Sequence, residues 1–287
     1  MAPVGLNKIC DLIDFEHPEL RSAITAIFPH ERDRFGSAFP RGREYRKYWE
    51  VAMASLAMRH GGALHPQAEI LGVGAGAEPT LFWLTNHVKR VHATDLYSQD
   101  GEWSASANDI MLSNPGFFWP GAWNRRRLIV QHADARELPY EDESFDGVFS
   151  SSSIEHFGTQ ADIRRAVTEI HRVLKVRGVL SLSTEFRLAG PPPGIPGTLL
   201  FDLPMLTDTI FAAAHWEMVT SIDLSCSEQT RAAETPFREA VNDLQRHTDE
   251  NDGRLVFHKL EWSRYPHIVL REKDRAWTSI HLCLRKR

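Results

Sequence analysis

Blocks of apolar and polar positions predict strands and helices that alternate along the chain. Short apolar runs typical of buried strands occupy residues 69–73, 91–95, 127–132 and 145–150. Residues 162–174 repeat apolar side chains at helical spacing, so they predict an amphipathic helix that Gly178 closes. Strands that alternate with helices are typical of an α/β fold with a largely parallel sheet.

The two ends of the chain carry further predicted elements. Residues 43–59 place aromatic and aliphatic side chains at helical spacing, and a helix is also predicted around residues 206–214. Strands are predicted at residues 217–224 and 277–284, and the chain between them is longer than a hairpin needs. We therefore expect three parts: a helical N-terminal cap of residues 1–66, a core of residues 67–224 plus 277–287, and an inserted cap of residues 225–276.

Composition indicates a globular protein with one substantial core. The 287 residues carry a net charge of −5, which offers no general attraction to nucleic acid or to anionic membranes. The three cysteines are scattered and form no Cys-x-x-Cys pair, so a reducing compartment is expected. Acidic residues near the start stand where a secretory signal would be apolar, and a cytoplasmic location is the prediction.

The most informative stretch is the glycine-rich turn after the first predicted strand. Gly72, Gly74 and Gly76 let the backbone turn tightly and approach a ligand, and Pro79 suits the first turn of a following helix. Asp95 ends the next strand, nineteen residues after Gly76, where a carboxylate can bind two ribose hydroxyls. This combination predicts a cofactor that contains a nucleoside.

Residues 67–190 resemble the class I S-adenosylmethionine-dependent methyltransferases of the type 11 group. The resemblance rests on an ordered set: the glycine turn, Asp95, Asp134, the run Phe-Asp-Gly-Val-Phe-Ser before Glu155-His156, and the turn Arg-Val-Leu-Lys-Val-Arg-Gly. It implies a Rossmann-like, seven-stranded mixed sheet of order 3-2-1-4-5-7-6 flanked by helices, with an antiparallel last strand. The implied cofactor is S-adenosyl-L-methionine.

Two positions depart from the family pattern. Gly72 stands where the family usually has an acidic residue, and Glu78 stands where it usually has a third glycine. A carboxylate at a helix start is favourable by about 0.3–1 kcal/mol. One hypothesis is that Glu78 directs negative charge toward the amino group of the cofactor; the alternative is that it only caps backbone amides.

The resemblance also implies the remaining cofactor contacts. Asp95 would hold the ribose, Leu96 would lie against the adenine, Asp134 would accept a hydrogen bond from the adenine amino group, and Ser150 would line the cleft through its main chain. The full predicted set for the cofactor is Gly72, Gly74, Ala75, Gly76, Glu78, Asp95, Leu96, Asp134, Ala135 and Ser150.

Methyl transfer to an alcohol needs a group that removes a proton. His156 is the candidate general base because its ring titrates near neutrality and the loop after the fourth strand overlooks the reacting methyl group. Glu155 either orients His156 or caps the next helix. A purely structural role for the pair is the alternative.

Other side-chain groups support two interpretations each. Arg125–Arg127 and the set Arg41, Arg43, Arg46 and Lys47 either bind an acidic acceptor or form solvated faces, and solvated charge is the commoner explanation. Residues 117–119 are aromatic and form either a lid or part of the core. The chain has fourteen histidines but no His-Glu-x-x-His pair, so no required metal is predicted.

The sequence therefore predicts an S-adenosylmethionine-dependent methyltransferase that acts on the oxygen of a small polar acceptor. Residues 265–281 resemble bacterial methyltransferases of glycan assembly, which makes a sugar or glycan intermediate the preferred acceptor. Nucleic acid is disfavoured because residues 150–153 are serines instead of an Asn/Asp-Pro-Pro-aromatic run. The alternatives are a non-catalytic cofactor-binding or partner protein and a nicotinamide-dependent oxidoreductase, although no Tyr-x-x-x-Lys pair is present. The sequence does not indicate an oligomeric state.

Overall fold

A computed structural model describes residues 3–98, 107–251 and 267–287. Within these residues the strands are β1 (Lys8–Ile9), β2 (Glu69–Val73), β3 (Arg90–Asp95), β4 (Leu128–His132), β5 (Phe145–Ser151), β6 (Leu174–Ala189), β7 (Gly194–Ile195), β8 (Thr198–Leu199), β9 (Trp216–Met218), β10 (Glu234–Pro236), β11 (Val269–Glu272) and β12 (Arg275–Lys286). The α-helices are α1 (Pro18–Ile27), α2 (Pro29–Phe35), α3 (Arg46–Gly61), α4 (Pro79–Leu84), α5 (Ile110–Ser113), α6 (Gln160–Val173), α7 (Leu203–Leu206), α8 (Glu228–Ala232) and α9 (Phe237–Glu250).

One mixed sheet organises the molecule. Strands β4, β3, β2, β5 and β6 are parallel neighbours in that order, and β12 pairs antiparallel with β6. Strand β9 pairs antiparallel with the end of β12. These seven strands follow the expected order 3-2-1-4-5-7-6, and the predicted antiparallel last strand is confirmed. Parallel strands place their carboxyl ends at one edge of the sheet, where α/β proteins bind ligands.

The sheet has more strands than the seven expected. Strand β11 pairs antiparallel with β12, β10 pairs parallel with β11, and β1 pairs Lys8 with His281 of β12. Both the N-terminal segment and part of residues 225–276 therefore contribute strands to the sheet. The division into a core and two caps stays a prediction, and residues 252–266 of the expected inserted cap lie outside the described residues.

Helices cover both faces of the sheet. Helix α3 is buried over nearly its whole length and packs against β6, β12 and β5. Helix α6 turns Ile163, Val167 and Ile170 into the core of the other face, and a capping box at Thr159 begins it. The predicted helices at residues 43–59 and 162–174 are these two. In the described part of the chain, no helix has the length and apolar character that crossing a membrane requires.

Two predicted elements differ from the structure. The helix expected at residues 206–214 is a short α-helix, α7, followed by a π-helical turn over Thr207–Phe211. The strand expected at residues 217–224 is only β9, because pairing with β12 ends at Met218. Beyond Met218 the chain keeps only isolated contacts with the sheet: the amide of Val219 donates to the carbonyl of Cys283, and Asp223 forms a single bridge with Lys8 of β1.

Candidate functional site

The glycine turn between β2 and α4 lies at the carboxyl edge of the sheet. Gly74 and Gly76 have φ values of 59° and 45°, a region that favours glycine. A Cβ on Gly74 would lie 2.7 Å from the Cβ of Ser153, so a side chain there forces the turn to shift. The amide of Ala75 donates to the carbonyl of Thr94 at 3.0 Å, which ties the turn to β3.

Asp95 is held beside this turn by backbone amides. One carboxylate oxygen accepts from the amide of Gly76 at 2.9 Å, and the other accepts from the amide of Leu96 at 2.7 Å. Burial raises the pKa of Asp95 above its ordinary value, while these two amides act in the opposite direction. Each carboxylate oxygen has two lone pairs, so one acceptor position remains on each oxygen. Two ribose hydroxyls can use those two positions.

Leu96 and Asp134 extend the site from Asp95. Leu96 is 56% exposed, so its apolar surface is available to a flat ring. The amide of Ala133 donates to the carbonyl of Asp95 at 3.0 Å, which brings the loop carrying Asp134 and Ala135 to the same edge. Arg136 donates to both carboxylate oxygens of Asp134, and these bonds lower the pKa of Asp134. An adenine amino group would share this carboxylate with Arg136.

Gly72 and Ser150 have packing roles inside the sheet. A Cβ on Gly72 would lie 2.8 Å from the ring of Phe149, which explains the glycine without a cofactor. Ser150 is fully buried and pairs with Leu182 of β6. Ser153, which the sequence analysis did not select, contacts the glycine turn: its hydroxyl donates to the carbonyl of Gly74 at 2.5 Å.

Glu78 precedes α4 but makes no side-chain hydrogen bond to the helix amides. The hydroxyl of Thr80 donates to its carboxyl group at 3.1 Å. Burial raises the pKa of Glu78 to about 8, and the nearby Glu50 adds to the effect. The alternative in which Glu78 only caps amides is therefore unsupported, and its role toward a cofactor stays a prediction.

Glu155 and His156 follow β5 in a single turn. Glu155 is buried and accepts a hydrogen bond from the hydroxyl of Thr184 at 2.9 Å. Burial, followed by the charge of Glu185, raises the pKa of Glu155 to about 8. Nδ1 of His156 lies 2.8 Å from the carbonyl oxygen of Gly197, and Nε2 lies 4.0 Å from Glu155. The structure thus brings the predicted catalytic pair together at the edge that carries the glycine turn.

Comparison with known proteins agrees with this arrangement. A family model described as "Methyltransferase domain" matches residues 71–182, the stretch from the first core strand to the fifth. This stretch is a class I S-adenosylmethionine-dependent methyltransferase domain. The nicotinamide-dependent alternative does not account for the antiparallel β12 or for the position of Asp134.

Two curated relatives are similar to parts of the chain. The chain is 25% identical to 2-methyl-6-phytyl-1,4-hydroquinone methyltransferase 1, chloroplastic, of Oryza sativa subsp. japonica over 47% of its length and 36% of that relative. It is 38% identical to 27-O-demethylrifamycin SV methyltransferase of Amycolatopsis mediterranei over 24% of each protein. The chain therefore spans about a quarter to a third of the length of these curated relatives.

A solved structure shares the fold. It is assigned to a sarcosine dimethylglycine methyltransferase from Galdieria sulphuraria, with a TM-score of 0.50 and 17% identity over 84% of each chain. At this identity the similarity supports the architecture alone.

A charge cluster that the sequence analysis missed joins the start of α3 to β6. We define the α3 charge cluster as Arg46, Lys47, Glu50 and Glu185. Arg46 is 5% exposed and donates to Glu185 at 2.5 Å, while Lys47 lies 3.0 Å from both oxygens of Glu50. The solvated interpretation is wrong for Arg46, because α3 lies across the sheet and turns its first residues inward. Arg41, by contrast, is exposed and pairs with Glu16.

The aromatic segment at residues 117–119 belongs mainly to the core. Phe118 and Trp119 are buried, and the Trp119 ring stacks on Phe82 of α4 with centroids 5.7 Å apart. The Trp119 ring also contacts Phe28 and His30 near the N-terminal helices, so the lid interpretation is unsupported for Phe118 and Trp119. Across residues 3–98, 107–251 and 267–287, no group of three acidic, histidine or cysteine side chains is placed to hold a metal ion.

Proposed function

We propose that the protein transfers a methyl group from S-adenosyl-L-methionine to an oxygen atom of a small polar acceptor. A sugar or glycan intermediate is our preferred acceptor class. The proposal rests on two backbone amides that donate to Asp95 and leave one acceptor position on each carboxylate oxygen. Asp95 lies beside the glycine turn, within the residues that match the methyltransferase family model.

Residues at the carboxyl edge fit the parts of the donor. Asp95 would bind the ribose hydroxyls, Leu96 would cover one face of the adenine, and Asp134 would accept from the adenine amino group. The backbone of the turn at Gly74, which carries no side chain, would lie beside the methionine part. Glu78 would face the donor's amino group with a carboxyl group that bears no internal cap bond.

The donor, when bound, supplies a methyl group that is already electrophilic, so the protein's main task is to position the acceptor. His156 is our candidate for the group that removes the acceptor's proton. The carbonyl of Gly197 can only accept, so Nδ1 of His156 carries a hydrogen and the neutral ring has its basic lone pair on Nε2. Glu155 lies on the Nε2 side and would orient the ring or stabilise its charged form.

The relatives support an acceptor smaller than a macromolecule. One relative is named for a hydroquinone, and the other is named for a rifamycin derivative that lacks a methyl group on an oxygen. We therefore favour a small-molecule acceptor over nucleic acid, and oxygen as the reacting atom.

The test is a screen with a labelled methyl donor. The purified protein is incubated with radiolabelled S-adenosylmethionine and fractions of a cell extract, and transfer to a small polar compound is the expected result. His156→Ala should lose at least about a hundredfold in turnover, the smaller end of general-base catalysis, with unchanged donor affinity. Donor binding without transfer to any fraction would instead support a non-catalytic binding protein.

A further inference from the structure

One oxygen of Glu155 has no hydrogen-bond partner in the part of the chain that the structure describes. Glu155 is 2% exposed, and its Oε2 accepts from Thr184, but Oε1 receives no donor there. Nε2 of His156 lies 4.0 Å from Oε1, which is beyond hydrogen-bond distance. A buried carboxyl oxygen without a donor is costly, so its position indicates a ligand group that donates.

The α3 charge cluster does not neutralise this carboxyl group. Arg46 is bonded to Glu185, and Lys47 is bonded to both oxygens of Glu50. The cluster therefore contains two cations and two carboxylates that pair with one another. Glu155 receives no hydrogen bond from these residues, and Glu185 and Lys47 act on it with opposite charges. A bound cation would add an attraction that this balanced cluster does not supply.

Glu155 is also close to the methyl-transfer region that we propose. It lies two residues after Ser153, whose hydroxyl donates to Gly74 of the glycine turn. His156, the neighbouring residue, is the proposed base. A group bound to Glu155 would therefore belong to the acceptor and would sit beside its reacting oxygen.

We propose that Glu155 binds a protonated amino group of the acceptor, so that the acceptor is a hydroxyl compound that also carries an amine, such as an amino sugar. This inference rests on the proposed function, since it names the class of compound that the methyltransferase site accepts. An ammonium group supplies the missing donor for Oε1 and a positive charge that offsets the cost of burying the ionised carboxylate. A plain sugar supplies only the donor.

The experiment blocks the amines of the acceptor pool. The small-molecule fraction of a cell extract is divided, and one half is treated with acetic anhydride and then with hydroxylamine, so that amines become amides and hydroxyls are restored. Both halves are assayed with radiolabelled S-adenosylmethionine. We expect label transfer to the acetylated half to fall at least about thirtyfold, the smallest loss expected when one partner of a buried charge pair is removed. Equal transfer to both halves would overturn the proposal.

Two variants separate the amine site from a role in orienting His156. Glu155→Gln keeps the shape and removes the charge, and Glu137→Gln is the control because Glu137 is 84% exposed at its side chain. We expect Glu155→Gln to raise KM for the labelled acceptor about thirtyfold or more with a smaller change in kcat. A fall in kcat alone, with KM unchanged, would overturn the amine site.

Failure of the proposed function has a different outcome. If neither half of the extract takes label while S-adenosylhomocysteine binds the protein, methyl transfer itself is refuted. If the untreated half takes label, the comparison of the two halves decides the amine site alone.

Discussion

Replacing Asp95 by asparagine tests the donor site with the smallest change in shape. Both carboxylate oxygens accept a backbone amide, from Gly76 at 2.9 Å and from Leu96 at 2.7 Å. Asparagine keeps one oxygen and places an amino group against the other amide, so one acceptor position for the ribose disappears. A hydrogen bond to a charged group contributes about 1.5–3 kcal/mol, which corresponds to a dissociation constant roughly 10- to 150-fold larger.

The assay is calorimetric titration with S-adenosylhomocysteine, which binds without turnover. Asp142→Asn is the matched control, because the Asp142 side chain is 74% exposed and pairs with Arg172 at the surface. We expect the control to bind like the unchanged protein, and circular dichroism to show that Asp95→Asn still folds. If both variants bind the compound within twofold of the unchanged protein, Asp95 does not hold the ribose.

Three further predictions concern the turn, the charge cluster and pH. Gly74→Ala should abolish measurable binding of S-adenosylhomocysteine in the same titration, because its Cβ would meet Ser153 at 2.7 Å; retained affinity would show that the turn can shift freely. Arg46→Met should lower the free energy of unfolding in urea by about 3–5 kcal/mol, because it removes one partner of a buried ion pair and leaves Glu185 and Glu50 to share Lys47; a loss under 1 kcal/mol would contradict this. Because the folded-state pKa of Glu78 is raised to about 8, its contribution to stability is present below pH 4.5 and lost as pH rises through 8. The free energy of unfolding should fall between pH 5 and pH 9, and Glu78→Gln should make this fall smaller by roughly 3–5 kcal/mol. Urea unfolding at the two pH values measures it, and an equal fall in both proteins would refute the prediction.

Local features of the site could be predicted because neighbouring residues determine them. The turn through Gly74 and Gly76 and the carboxylate of Asp95 depend on strand ends that the apolar pattern locates. The structure places these residues in direct contact, with the amide of Gly76 donating to Asp95. The seven-strand order was implied by family resemblance, since periodicity alone does not determine which strands are neighbours.

Features that depend on long-range packing could not be predicted. Arg46 and Glu185 are 139 residues apart, so the sequence alone gave no reason to expect that they pair in the interior. The run of serines at residues 150–153 does not show where β5 ends, and the residue that reaches the glycine turn is Ser153 instead of Ser150. A rule that a charged helix position between two apolar residues is buried would have selected Glu50, which lies between Trp49 and Val51.

A crystal structure of the protein with bound S-adenosylhomocysteine would show the donor site itself. We expect both ribose hydroxyls within hydrogen-bond distance of the Asp95 carboxylate, the adenine against Leu96, and the amino-acid part beside Gly74. Density for the compound at another edge of the sheet, or side chains packed into the crevice beside Asp95 at saturating compound, would contradict it.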